Sequence, residues 1–216
     1  MKLIVNLFIQ NYYGKKGLKT ETSPMSWEQF QTLSSRIAYS IDHDALKEEK
    51  KKQLSKFLLL INIGCYCGLR LSDILNIEWG DVLERDTFTV TEQKTQKSRQ
   101  LTINGSLKSL LKKYIDFIKP TTINDKVFTN SQGNVISRQY VNRRLKELFT
   151  SYKINVMNPS SHTLRKTFGL RVYEMNFKSD DALITLSHIF NHSSTAITRK
   201  YIGLQGKKIE NIYLSL

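Results

Sequence analysis

Four short stretches of the chain hold cationic, imidazole and phenolic side chains, types that together could do chemistry on an anionic substrate such as a phosphate diester. They are Cys67-Gly68-Leu69-Arg70-Leu71-Ser72-Asp73, Gln93-Lys94-Thr95, His162-Thr163-Leu164-Arg165, and Asn191-His192-Ser193-Ser194 with Tyr201 following. A phosphodiester is anionic, and attack at phosphorus places more charge on its nonbridging oxygens. Guanidinium groups meet that charge with permanently ionised, bidentate hydrogen bonds. A tyrosine hydroxyl can attack, but its pKa near 10 leaves about one part in a thousand ionised at pH 7, a deficit of roughly 4 kcal/mol. Nearby cations and a general base can supply that. Each stretch alone is ordinary. An Arg after Gly often caps a helix or faces solvent, and a Lys at a turn is usually solvated. A His three residues before an Arg is often a simple surface pair, and a late Tyr often just packs. The information lies in their occurring together.

The charge balance fits such chemistry. In 216 residues there are 33 Lys and Arg against 19 Asp and Glu, a formal charge of +14. An excess of that size repels itself in the compact state unless a polyanion offsets it, and nucleic acid heads the list of partners. A membrane surface would require a basic amphipathic helix or lipid anchor. The apolar run 57–69 is too short and interrupted to span a bilayer, and residues 1–13 lack a signal-peptide pattern. Cys65 and Cys67 sit two apart in an apolar run, a spacing that suits neither a disulfide framework nor a zinc site. They read as buried thiols of a soluble, cytoplasmic protein. The four histidines form no visible metal cluster, and no phosphate-binding glycine loop is present. No cofactor is expected.

The elements that position these residues follow from periodicity. Residues 1–23 read as an N-terminal arm or linker, 24–203 as one catalytic domain, and 204–216 as a short tail. Pro24 suits a first helical turn, with Trp27, Phe30, Leu33 and Ile37 following at helical spacing. The charged segment 42–53 reads as a solvated helix start or loop. A buried helix over 54–67 is closed by Gly68. A short helix is expected over 71–79 with Ser72 as its cap. TFTVT (87–91) and RQLTI (99–103) alternate about a polar, basic tip and predict a β-hairpin. Helices follow over 107–118 and 138–152, the latter capped by Ser137, with a short strand at 127–129 between them. Ser160 or Ser161 caps the helix bearing His162 and Arg165, and helices over 180–190 and 195–201 lead to Tyr201. The fold class is α+β, mainly helical, with one small antiparallel hairpin.

In order along the chain, GLRLSD, EQKT, SHTLR and FNHSSTAITRKYIGL resemble the active-site boxes of the tyrosine recombinase (phage integrase) family, over residues 24–204. His192 stands nine residues before Tyr201, as that family spaces them. The resemblance implies a recombinase-like catalytic domain. Arg70, Lys94, His162, Arg165 and His192 are its catalytic basic set, and Tyr201 is the nucleophile. On that reading the arginines clamp the phosphate and His162 takes the tyrosine proton. Lys94 protonates the departing 5′ oxygen, and His192 donates a hydrogen bond to the phosphate. Asp73 matches an acidic position that steadies the site, although it equally suits a helix N-terminus. Lys97, Arg99, Arg138, Arg143, Arg144 and Lys146 are candidate DNA contacts, or an ordinary solvated basic face.

The implied partner is double-stranded DNA. The family acts as a homotetramer on two sites, with DNA-bending accessory proteins in some systems, and the expected setting is the bacterial cytoplasm. Ile209, Ile212, Tyr213, Leu214 and Leu216 in the tail suit either a neighbouring protomer or packing in cis. Asn191 stands where the family commonly has Gly, and Lys166 where many relatives have His. Many members carry a separate DNA-clamping domain, whereas 23 residues precede Pro24 here. Either the protein is a short form, or a partner or missing segment supplies that jaw. A type IB topoisomerase-like relaxing activity and a non-catalytic DNA-binding regulator are the competing readings.

Overall fold

A computed structural model describes residues 21–204 except Thr95. Residues 205–216 of the expected tail and most of the arm therefore lie outside the described residues. The chain forms α1 (Trp27–His43), α2 (Glu48–Cys67), α3 (Leu71–Leu75), α4 (Trp79–Val82), β1 (Thr87–Thr91) and β2 (Ser98–Thr102). There follow α5 (Gly105–Ile118), α6 (Arg138–Ser151), α7 (Ser161–Met175), α8 (Asp180–Phe190) and α9 (Thr195–Tyr201). The expected mainly helical class with one antiparallel hairpin is what the molecule adopts.

The core is built around α2, which packs against α1, α5 and α7. Its residues Leu58, Leu59, Leu60 and Ile61 are fully buried, so from Leu54 onward it is buried all round rather than along one stripe. Each such side chain contributes about 1.5–3 kcal/mol by leaving water. The charged start of this helix, Glu48 to Lys52, answers the choice left open between loop and helix. Gly64 lets α7 approach closely, since a Cβ there would lie 2.8 Å from the Leu164 Cβ. A second, smaller cluster joins Tyr173 of α7 to Leu183, Leu186 and Phe190 of α8 and to Ile202. It holds α9 and the residues that follow it directly against the helix that carries His162 and Arg165.

β1 and β2 pair antiparallel, with Val90 opposite Arg99 and Phe88 opposite Leu101. Four local expectations need correction. Ser26, not the turn at Pro24, caps α1, because its side chain accepts from the Gln29 N–H in a reciprocal capping box. Ser72 is not a cap: Arg70 holds that position and Ser72 lies within α3. The helix expected over 71–79 is two short ones, broken after Leu75. The strand expected at 127–129 is only a pair of isolated bridges, Glu78 with Lys126 and Thr129 with Val135. No described helix is long and apolar enough to cross a membrane.

Candidate active site

The starts of α3, α6 and α7, the ends of α8 and α9 and the hairpin tip converge on one cleft of about 350 Å³, whose lining includes Arg70, Lys94, His162, Arg165, His192 and Tyr201. All six residues singled out from the sequence thus meet, although Arg70 and Tyr201 are far apart in the chain.

Arg70 and Arg165 are held by backbone carbonyls. Arg165 donates through Nη1 to the Gly68 carbonyl and through Nη2 to the Phe190 carbonyl at 3.3 Å. Arg70 donates through Nη2 to the same Phe190 carbonyl at 3.1 Å. Phe190 is the last residue of α8, where unsatisfied carbonyls carry the negative end of the helix dipole. That end therefore gathers both cations, and the Phe190 ring lies 4.4 Å from the Arg165 guanidinium carbon. Gly68 can present its carbonyl because it ends α2 in the left-handed conformation, φ 60°. Burial brings the Arg165 guanidinium down to about 10; the neighbouring Tyr201 pulls it up and Arg70 pushes it down. It stays charged at neutral pH.

α7 is capped by Ser160, whose side chain accepts from the His162 N–H, while Asn142 of α6 accepts from the Ser161 N–H at 2.9 Å. These bonds place His162 and Arg165 on successive turns facing the cleft. His162 Nδ1 lies 3.4 Å from the Tyr201 hydroxyl. Burial, then the Lys166 and Arg165 charges, hold the His162 pKa below its usual value. Burial, then Arg165 and Arg70, do the same to His192.

Asn191 ends α8 in the left-handed conformation, φ 58° and ψ 47°, and turns the chain into His192. Asn occupies this region more readily than other residues with a side chain, so its standing where Gly is common leaves the turn intact. Thr198 Oγ1 lies 3.0 Å from His192 Nδ1 and fixes the ring. Tyr201, the last residue of α9, packs edge-on against Phe190 and His192, at 5.3 and 5.1 Å between centroids. Burial raises its hydroxyl pKa, against the downward pull of Arg165 and Arg70, so the free protein holds a neutral phenol.

Lys94 is exposed at the hairpin tip. Buried Asp73 accepts from the Gln93 N–H at 3.1 Å, tying the residue beside Lys94 to the helix that starts at Arg70. Arg138 is exposed and joins the cleft lining. Arg143 and Arg144 both pair with Glu147 on their own helix. Lys146 and Lys97 are exposed. Arg99 is half-buried, its Nε 3.8 Å from Glu92 Oε1, on the inward face of the hairpin. The cysteine expectation matches: both thiols are buried, and burial pushes Cys67 up to about 12.

Sequence reasoning missed the Phe190 carbonyl, Asn142 and Glu92. The Glu92 carboxylate is buried and pairs with Arg70. A signal for it existed. Phe88, Val90 and Glu92 are two apart, so the alternation that buries the first two points the third inward as well.

The family model for the phage integrase family matches residues 43–207. The probable integrase/recombinase YoeC of Bacillus subtilis is 34% identical over 165 residues, covering 72% of this chain and 86% of that protein. Tyrosine recombinase XerH of Campylobacter jejuni is 25% identical over 213 residues, covering 96% of this chain but 56% of that protein. The chain thus spans little more than half the length of that relative. Among solved structures, XerH bound to a palindromic difH substrate in a post-cleavage complex superposes with a TM-score of 0.64 at 21% identity, over 88% of this chain and 52% of that one. A lambda integrase dimer bound to a COC′ core site gives 0.59 at 17% identity, over 89% and 51%. At those identities the superpositions speak to the fold. The family match covers most of the chain, and the chain belongs to the phage integrase family.

Proposed function

We propose that residues 24–203 form the catalytic domain of a site-specific DNA recombinase, which cuts and rejoins double-stranded DNA through Tyr201. The observation that carries this reading is the Tyr201 hydroxyl beside His162, in one cleft with Arg70, Arg165, His192 and Lys94.

In the proposed step the Tyr201 proton passes to His162 as the phenol oxygen attacks the scissile phosphorus. Arg70 and Arg165, with a hydrogen bond from His192, take up the charge that grows on the nonbridging oxygens. The bond from phosphorus to the 5′ oxygen breaks, and Lys94 gives that oxygen a proton. The products are a 3′-phosphotyrosyl bond and a free 5′-hydroxyl. The 5′-hydroxyl of a second strand then reverses the sequence, with His162 returning its proton to the phenol. One phosphoester replaces another, so rejoining draws no energy from a nucleotide. Every charge and proton is assigned to a side chain of this domain.

The proposed partners are a DNA duplex and further copies of the chain, four on two sites, with DNA-bending proteins as accessories. Arg138, on the rim of the cleft, is the best placed of the candidate DNA contacts; Arg143, Arg144, Lys146 and Lys97 offer positive charge farther out. The XerH and lambda integrase structures, which hold DNA, support the duplex as partner.

The test uses nicked duplexes with a random core, from which the cleaved fragment diffuses and traps the intermediate. Wild-type protein should yield a denaturation-resistant adduct enriched for one core sequence, and Tyr201→Phe should yield none. An undiminished adduct in the variant would overturn the assignment. Relaxation of supercoiled plasmid lacking the enriched core, with no recombinants from plasmids carrying it, would favour the topoisomerase-like reading.

A further inference from the structure

Glu92 lies outside the set of groups that touch the phosphate in the step above, yet it contacts one of them directly. Its carboxylate is 5% exposed and pairs with Arg70, whose side chain is 22% exposed. On its other side Arg99 Nε stands 3.8 Å away. Arg70 has five N–H donors. The Glu92 carboxylate engages Nη1 and the Phe190 carbonyl engages Nη2. These two acceptors fix the plane of the guanidinium, and its remaining donors are left for a ligand.

The backbone of Glu92 does separate work. Its N–H donates to the Lys97 carbonyl at 3.0 Å and its carbonyl accepts from the Gln96 N–H at 2.8 Å. The loop closed by these two bonds contains Lys94. One residue therefore frames the loop carrying the proposed proton donor and grips one of the two proposed phosphate clamps. The charge arrangement agrees. Arg165 feels both Arg70 and Arg99, which disfavour its charged form, while Glu92 favours it. A buried carboxylate among three guanidiniums lowers a repulsion that would otherwise spread them apart.

We propose that Glu92 is a positioning residue for cleavage: it aims Arg70 at the scissile phosphate and keeps that arginine in register with the Lys94 loop. The inference rests on the recombinase reading, since it presumes that Arg70 meets a phosphate. Glu92 itself is acidic and does not touch the substrate. A misplacement of about 1 Å in a clamp can cost on the order of 10²-fold in rate. Loss of Glu92 should do so without weakening DNA binding, because the variant is one unit more positive.

The experiment measures single-turnover cleavage and DNA affinity on the duplex enriched by wild-type protein, in two forms. One has an ordinary scissile phosphodiester. The other has a methylphosphonate there, which removes the nonbridging charge that Arg70 neutralises. Glu92→Gln should cleave the phosphodiester about 10²-fold more slowly with affinity equal to or tighter than wild type, and the deficit should largely vanish on the methylphosphonate. The double variant Glu92→Gln/Arg99→Gln restores the local charge balance in case the single variant folds poorly, and it should show the same selective deficit. Wild-type rates in either variant, or an equal deficit on both substrates, would overturn the role of Glu92. Absence of any adduct from the wild type would instead overturn the reading of the site on which this role depends.

Discussion

His162 Nδ1 faces the hydroxyl of Tyr201 at 3.4 Å, across the junction between the first turn of α7 and the last of α9. The distance is at the long edge of a hydrogen bond, as expected of a base and nucleophile awaiting substrate. Only the unprotonated ring can take the phenol proton. Its pKa is held below the usual histidine value by burial and by the Lys166 and Arg165 charges, so at neutral pH the ring is already a competent base. Cleavage should therefore be flat through neutrality and fall only below about pH 6.5, by tenfold per unit on the limb. His162→Gln should cut the rate by about 10²–10⁴-fold and change the shape of that limb. His192 titrates in the same direction, so a limb untouched by the His162 variant would transfer the base role away from it. The readout is the pH profile of single-turnover cleavage.

Arg165→Lys should be nearly as damaging as removal. The guanidinium reaches the Gly68 and Phe190 carbonyls with two different nitrogens while facing the cleft. An ammonium is a single point and cannot hold both and clamp a phosphate. A loss of about 10²–10³-fold in cleavage is expected, with a far smaller change in DNA affinity. A variant within threefold of wild type would show that charge alone suffices there.

The proposed role of Lys94 has a chemical test. If Lys94 protonates the departing 5′ oxygen, a substrate with sulfur at that bridging position should not need it, since a thiolate leaves without a proton. Lys94→Ala should cleave the oxygen substrate on the order of 10²–10⁴-fold more slowly and the sulfur substrate near the wild-type rate. Asp73→Asn should show a milder form of the same pattern, because Asp73 acts on the loop through the Gln93 N–H. Equal deficits on both substrates would remove Lys94 as the acid.

The hairpin, the buried α2, the cap at Ser137 and, to within one residue, the cap at Ser160 were legible because each rests on local chemistry: alternation, an unbroken apolar run, a hydroxyl before a helix. The six cleft residues were legible only through the family's spacing, since nothing local brings Arg70 to Tyr201. Arg99, a candidate DNA contact by its type, shows what phase adds to type: it pairs across from Val90 and so shares its inward face. Glu92 was passed over for the matching reason, although it continues the phase of Phe88 and Val90. Ser72 misled because a hydroxyl near a helix start is a signal without an address. Arg70 already filled the cap position, two residues after the chain had turned at Gly68. The Phe190 carbonyl has no side-chain signature at all.

Two left-handed caps flank the arginines, and they should respond differently when Asn and Gly are exchanged. Asn191 and Gly68 share nearly the same conformation, with φ of 58° and 60°. At Asn191 only the backbone region matters. Asn191→Gly should therefore keep stability within about 1 kcal/mol, whereas Asn191→Val should lose about 1–2 kcal/mol from left-handed strain. At Gly68 a Cβ would come 2.3 Å from the Phe168 ring. Gly68→Asn thus meets a clash that no tolerance of φ can relieve, and it should lose about 1–3 kcal/mol by overpacking alone. Its damage should also reach chemistry, because shifting the Gly68 carbonyl withdraws an acceptor from Arg165. Thermal melts rank the stabilities, and single-turnover cleavage on the folded fraction separates the second effect from the first. Equal melting losses for Gly68→Asn and Asn191→Gly would mean that the Phe168 ring moves aside freely, and the packing argument for a glycine at the end of α2 would fall.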